Sequence, residues 1–287
     1  EPGRNTRPNR KVAQLASVVS GESSPEDLVC VVDSDVDLTR FDLDACCDLV
    51  QHDSGLGALW CPPMDASETL TVGDRASQAT LNGSFHAFPL LSGMAPTALV
   101  GKTFVLRREV LDEVGGFSEL IEYLGEDVEL SSRLQAKGYR VEPAPVLARA
   151  TCNGRSFSSV VARFSRWMTV LRAQRPGLML TYPLFFFSAS IIVPLGTLVS
   201  TVAFGFPAGA AAVVALSALL TRVGLVFVAR ARCRQTTGVL SAVIDAILGD
   251  LVLAFAFVYA YRSRTVKWRG VSLSVDRSGR LVADESP

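Results

Sequence analysis

Two aspartates flank a serine at Asp33-Ser34-Asp35. They follow the apolar run Leu28–Val32, and open α/β sheets gather ligands beyond the carboxyl ends of their strands. Carboxylates at i and i+2 of such a turn can face one crevice. They suit a hard divalent cation, Mg²⁺ or Mn²⁺, that bridges to diphosphate oxygens. The overlapping Asp35-Val36-Asp37 has the same pattern, and a solvated acidic turn is the plainer account of either. A second constellation is Gly115-Gly116-Phe117 followed by Glu126-Asp127 at a helix start. Acids there oppose the helix dipole favourably, and one held ionised could act as general base toward an attacking hydroxyl. The third is Arg163-Phe164-Ser165-Arg166-Trp167. Phe157, Val160, Phe164, Trp167 and Leu171 recur at helical spacing, and Arg163 and Arg166 share another face. An amphipathic helix on anionic lipid explains this pattern, as does an Arg/Trp site for a diphosphate or an acceptor head group.

These groups need elements to position them. Leu28–Val32 reads as a buried parallel strand, with a candidate helix over Arg10–Val19 before it. Lys102–Leu106 reads as a second strand. Glu109–Val114 is a short helix stopped by Gly115-Gly116, and Glu126–Lys137 a helix ended by Gly138. Alternating strands and helices predict an α/β sheet. The segment Pro62–Phe88 has no clear period and reads as loop-rich.

The 287 residues are 49% apolar and 20% charged, with a mean hydropathy of +0.31. That excludes a disordered chain and fits poorly with an ordinary soluble enzyme. The net charge of zero divides unevenly. Residues 1–150 hold 13 Lys/Arg and 23 Asp/Glu, whereas residues 151–287 hold 15 and 5. An acidic front half on a basic, apolar back half does not fit a nucleic-acid binder. It fits a soluble domain on a membrane anchor. Six cysteines without a C-x-x-C pair, and two histidines, argue for free thiols and against a zinc site.

No charged residue occurs in the 46 positions from Pro176 to Thr221. As helix that is about 70 Å, against a hydrocarbon core of about 30 Å. Thr181–Phe206 and Ala208–Ala229 are therefore expected to form a transmembrane hairpin turning at Gly205-Phe206-Pro207. Arg155, Arg163, Arg166, Arg172 and Arg175 precede it, and Arg230, Arg232 and Arg234 follow, so that side is expected to be cytoplasmic. A third apolar stretch, Val239–Tyr261, contains Asp245 and Asp250 and is followed by Arg262, Arg264, Lys267 and Arg269. A crossing would bury two carboxylates at about 2.5–3.5 kcal/mol each, so a re-entrant or interfacial helix is expected. Asn82-Gly83-Ser84 matches a glycosylation acceptor, but this topology places it in the cytoplasm.

The ordered set Asp33-Ser34-Asp35, Glu126-Asp127 and Arg163-Phe164-Ser165-Arg166-Trp167, then membrane helices, resembles inverting GT-A glycosyltransferases. In detail it is similar to the ceramide glucosyltransferase-like family, whose bacterial relatives include hopanoid glycosyltransferases. Asn9-Arg10-Lys11-Val12, Arg107-Arg108-Glu109-Val110-Leu111-Asp112 and Lys267-Trp268-Arg269-Gly270 add to the likeness, which covers nearly the whole chain. The resemblance implies an α/β GT-A domain and a UDP-sugar donor. Asp33 and Asp35 would hold nucleotide diphosphate and metal, a divalent cation such as Mg or Mn. Asp127, beside Glu126, would be the catalytic base. Arg163, Arg166 and Trp167 would bind diphosphate or acceptor. His86 falls roughly where the ceramide enzymes carry a histidine, although a structural histidine is the simpler reading. The family also begins with a membrane helix and a first β-α-β unit. Neither is visible before Asn5, so the GT-A domain is expected to be N-terminally incomplete here.

The expected organisation is a partial GT-A catalytic domain over 1–154 and an amphipathic interfacial helix over 155–180. A transmembrane hairpin over 181–229, a basic loop and a re-entrant or third membrane helix over 230–261, and a cytoplasmic tail over 262–287 follow. The expected activity is inverting transfer of a sugar from a UDP-sugar to a lipid hydroxyl, ceramide-like or hopanoid-like, by an integral membrane protein with its catalytic domain in the cytoplasm. The alternatives are a processive polysaccharide synthase, which needs more crossing helices, and a non-catalytic scaffold that retains the fold. The expected partners are the UDP-sugar, the lipid acceptor and the bilayer, with no nucleic acid.

Overall fold

The structure is a computed structural model that describes residues 9–21, 24, 26–39, 41–94, 99–263, 265–268 and 271–283. Its first half runs α1 (Arg10–Val19), β1 (Leu28–Val32), α2 (Leu43–His52), β2 (Leu56–Trp60), β3 (Pro63–Asp65), α3 (Val72–Leu81) and α4 (Ala87–Met94). It continues β4 (Thr103–Arg107), α5 (Arg108–Glu113), α6 (Glu126–Ala136), β5 (Arg140–Pro143) and β6 (Ala148–Ala150). The main sheet has the order β1-β4-β2-β5, and β3 pairs with β6 beside it. Val12, Trp60, Phe104, Leu106, Leu111, Leu120 and Leu130 form the core between the sheet and its helices.

Two expectations for this half need correction. The strand Leu28–Val32 is present, but it pairs antiparallel with β4 and lies at the sheet edge among the described residues. Only Val31 of it is buried, while Leu28 and Val29 pack partly exposed against the clusters on its two faces. The segment Pro62–Phe88 is also more ordered than expected, holding β3 and α3. The sequence signal for α3 was a capping box: the Thr71 hydroxyl accepts the Asp74 N–H, and the Asp74 carboxylate accepts the Thr71 N–H. Asn82, at the end of α3, is fully buried. It accepts the Asp65 N–H and donates to the Asp65 carbonyl, so it braces β3 and is closed to glycosylation.

The second half is helical until its end. It runs α7 (Phe157–Gln174), α8 (Pro176–Met179), α9 (Thr181–Phe185), α10 (Val193–Phe204), α11 (Ala208–Arg232) and α12 (Val239–Arg262). Helices α11 and α12 are each long and apolar enough to cross a membrane. The first arm of the expected hairpin is not one helix. Pro176–Phe185 and Ser188–Phe204 meet at a 50° bend, with a π-turn over Ser188–Ile192 between them. Pro183 and Pro194 lie on either side of this bend, and neither can donate the backbone bond that a continuous helix needs. Helix α12 is unbroken, which excludes a re-entrant loop there.

The expected tail is a three-stranded antiparallel sheet, β7 (Thr265–Trp268), β8 (Val271–Val275) and β9 (Leu281–Ala283). Val266, Leu273, Val275 and Leu281 pack against Val170 of α7 and Leu124. The Leu281 N–H donates to the Glu122 carbonyl at 2.7 Å, and the Leu124 N–H to the Gly279 carbonyl at 3.0 Å. This sheet thus clasps the loop that leads into α6.

Both carboxylates of α12 face protein and are paired. Asp250 accepts Arg222 of α11 at 2.6 Å and Ser190 at 2.5 Å, while Arg222 also donates to the Gly83 carbonyl at 3.0 Å. Asp245 pairs with Arg75 of α3 at 2.7 Å and with Arg230. Removing one partner of a buried pair strands the other charge, at about 3–5 kcal/mol, whereas replacing both is close to neutral. Asp250→Leu should therefore lower the unfolding midpoint in detergent strongly. Asp250→Leu with Arg222→Leu should recover most of the loss in the same thermal melt.

Candidate active site

The register of β1 on β4 sets Val32 opposite Thr103. The residues beyond those strand ends, Asp33 and Lys102, therefore meet, and the Asp33 N–H donates to the Lys102 carbonyl at 2.9 Å. The Lys102 ammonium lies 3.6 Å from Asp33 and is in short contact with Asp35. Both carboxylates thus converge on one cationic position. Asp37, in the overlapping pattern, instead accepts from Thr39 N–H at 2.9 Å and closes a local turn.

Lys11 binds this acidic pair to the second motif. Its ammonium lies 2.9 Å from Asp33 and 3.0 Å from Glu126, and it donates to the Gly101 carbonyl at 3.0 Å. Burial works against this charge, but Glu126 and Asp33 outweigh it and hold the ammonium above its ordinary range. Asn9 fixes the place where α1 begins. Its side chain accepts the Lys11 and Val12 N–H groups and donates to the Tyr123 carbonyl at 3.0 Å and to Glu126 at 3.3 Å. Glu126 therefore faces the centre.

Asp127 accepts the Gly101 N–H at 2.8 Å and the Val128 N–H at 2.9 Å. A Cβ on Gly101 would stand 2.9 Å from the Asp127 carboxylate, so a side chain here would push that carboxylate aside. Burial, then the neighbouring Glu126 charge, push the Asp127 pKa up to about 6. A carboxylate with that value takes a proton near neutrality more readily than an ordinary aspartate.

The third motif lies on α7. Arg166 is lowered by burial, and the charges of Glu126 and Asp33 act on it in the opposite sense, as they do on Lys11. Arg163 sits with its guanidinium 4.9 Å from the Phe164 ring and 6.0 Å from that of Trp167. Burial and then the nearby Arg155 lower it to about 10. Arg163 and Arg155 both donate to the Ser77 hydroxyl, at 2.6 and 2.7 Å, and Ser77 donates to Asp65. Arg155 completes a buried network with Asp65 at 2.9 Å and Asp74 at 3.2 Å. Burial opposes ionisation of Asp74, yet the Arg155 and Gly154 N–H groups hold it well below the usual carboxylate range. Trp167 packs with Phe164 into the apolar cluster shared with α12.

His86 lies apart from this centre, in the turn before α4. Its ring is 6.5 Å from Phe186, and its buried Nδ1 has no hydrogen-bond partner. Burial and Arg222 lower it to about 4, so it is neutral at pH 7. Lys11, Lys102, Gly101, Asp65, Ser77 and Arg155 escaped the sequence reading as site residues. Lys11 and Lys102 fall in expected elements and Arg155 among the cations before the hairpin, but a lone lysine, arginine or glycine carries no spacing signal.

The family model of glycosyl transferase family 21 matches residues 2–281, and the chain belongs to that family. It is also 30% identical over 113 residues to ceramide glucosyltransferase 3 of Caenorhabditis elegans. That match covers 39% of this chain and 25% of the relative, so it spans about a quarter of that protein's length. The mixed sheet and the apolar helices agree with the GT-A domain and membrane anchor that the motif order implied.

The raised value of Asp127 is also a statement about stability. An acid whose folded pKa exceeds its unfolded value loses folded-state stability as pH rises between the two, here from about 4 to about 6. Asp127→Asn removes that loss. It should raise the unfolding midpoint at pH 7 relative to the native protein and leave it nearly unchanged at pH 4, as read by thermal melts at both values.

Proposed function

We propose that this family member moves a sugar from a UDP-sugar to a lipid hydroxyl, with inversion at the anomeric carbon. The observation that carries this reading is the Lys11 ammonium, which contacts both the Asp33 carboxylate and Glu126 beside Asp127. A phosphate-facing acidic pair and a tuned base thereby share one centre, with Arg166 acting on the same charges.

In this reading Asp127 takes the proton from the acceptor hydroxyl. The hydroxyl oxygen attacks the anomeric carbon from the face opposite UDP, and the bond from that carbon to the diphosphate oxygen breaks. Glu126 keeps Asp127 basic and holds Lys11 in place. Arg163 and Arg166 face the charge that builds on the departing diphosphate. Trp167, half-buried beside the α7–α12 contact, holds an amphiphilic acceptor at the bilayer, and neutral His86 is left able to bind a substrate hydroxyl. The convergence of Asp33 and Asp35 on one cationic position fits a divalent cation. Those two carboxylates would hold it, and it would neutralise charge on the diphosphate. Among the described residues no group of three His, Cys, Asp or Glu side chains could hold a metal. The other ligands would therefore be diphosphate oxygens and water. Arginines on both flanks of the hairpin support a catalytic domain on the cytoplasmic side of the membrane.

Full-length protein in membranes, given radiolabelled UDP-sugars and a lipid extract, should yield a labelled lipid. A labelled polymer would indicate a processive synthase, and no product with intact UDP binding a scaffold. Asp127→Asn should lower kcat by about 10²–10⁴ and barely move UDP-sugar affinity. Asp33→Asn and Asp35→Asn should instead weaken Mn²⁺-dependent UDP binding by calorimetry. The native rate should rise with pH through about 6, because the base acts only when ionised.

A further inference from the structure

Helix α12 passes every test of length and composition for a membrane crossing. Its two acids no longer argue against one, since each is paired. Its packing decides differently. The first part of α12 runs along α3: Asp245 meets Arg75, and Gly249 lies against the backbone of Ala79 and Thr80. A Cβ at Gly249 would stand 2.8 Å from the Ala79 carbonyl oxygen, so the two helices touch backbone to backbone. The second part lies on α7, where Val252, Leu253, Ala256 and Ala260 pack with Val160, Phe164 and Met168. Arg172 of α7 then donates to the Ala260 and Tyr261 carbonyls, at 2.7 and 2.6 Å, capping the helix end. Contact with α11 is lighter than with either. A crossing α12 would draw α3 and α7 through the bilayer, with the polar network of Asp65, Asp74 and Arg155 attached.

The face away from the protein is a continuous apolar stripe: Leu240, Ile244, Ile247, Leu251, Phe255 and Val258. Leu240 is 74% exposed and Phe255 55%, while Asp245, Ala246 and Asp250 opposite are 0%. The hairpin indicates what covers this stripe. Apart from its pairing with α10, helix α11 keeps most of its side chains exposed from Ala208 to Thr221, and it is packed from Arg222 onward. Those 14 residues span about 21 Å, some 9 Å short of a hydrocarbon core of about 30 Å. The missing depth falls where Val223 and Val226 pack against Ala242 and Ala246 of α12. The start of α12 is thereby placed inside the hydrocarbon, next to the lipid-facing hairpin.

We propose that α12 lies in the plane of the membrane within one leaflet, its outer stripe covered by acyl chains. The catalytic domain then sits partly sunk in lipid on a floor of α12 and α7. This rests on the membrane reading above and not on the chemistry assigned to the site.

Single spin labels at Leu240, Ile247, Leu251 and Val258 test it in full-length protein reconstituted in phosphatidylcholine/phosphatidylglycerol vesicles. Among residues 1–287, Cys30, Cys47 and Cys152 are replaced, because Cys46, Cys61 and Cys233 are buried. Depth is read from collision with oxygen against a water-soluble nickel chelate. The expected result is one depth for all four labels, to within about one helical turn of 5 Å, between head groups and bilayer centre. Labels at Leu198 and Val213 on the hairpin should read as lipid-exposed in the same vesicles. A depth that changes steadily along α12 over about 25 Å would overturn the proposal, as would four labels open to the chelate. Fluorophores at the same sites, quenched by lipids brominated near to or far from the head group, give an independent reading. Neither measurement needs turnover, so a failed sugar transfer would leave it intact.

Discussion

One ammonium group, that of Lys11, holds the candidate site together. An unpaired lysine as enclosed as this one would lose its proton or force water in. It keeps its charge because Asp33 arrives from the end of β1 and Glu126 from the start of α6. Those carboxylates in turn can approach each other only because the cation is between them. Much of the surrounding backbone answers to this arrangement. Asn9 fixes where α1 begins, the β1–β4 register delivers Lys102, and Gly101 lets the loop come within reach of Asp127.

The acid pair, the Glu126-Asp127 dipeptide and the Arg/Trp helix were legible because each is local: a few residues at fixed spacing on one element. The cations between them were not, because nothing beside Lys11 or Lys102 in the chain predicts a partner so far away in sequence. The same limit explains α3. Its residues include few large apolar side chains, and α12, far later in the chain, supplies much of its burial. Strand β1 was recognisable as a strand, but its direction relative to the sheet depends on β4, which no local pattern reports. The break near Pro183 and Pro194 is marked in the sequence by two prolines, which do not stand out within a long uncharged run.

The acids of α12 show that a correct energy need not decide how a helix lies. The cost of an isolated carboxylate in hydrocarbon is real. Asp250 never meets that cost, because Arg222 on the neighbouring helix shares its enclosure, and Ser190 and Gly83 complete the hydrogen bonding. Sequence alone counts charges one at a time. Folding commits them in pairs. The buried pair also joins the hairpin to the turn that bears His86, so the apolar helices and the α/β half share a polar seam.

The clasp of β9 on the loop before α6 has a consequence for biogenesis. Chains emerge from the ribosome in order, and domains tend to fold as they emerge. Here the backbone groups of Glu122 and Leu124 find their partners only in residues made after all the apolar helices. The apolar helices are thus synthesised, and available for membrane insertion, before this part of the site can close. A ribosome stalled before residue 279 would hold a chain with its apolar helices made and the loop before α6 still open.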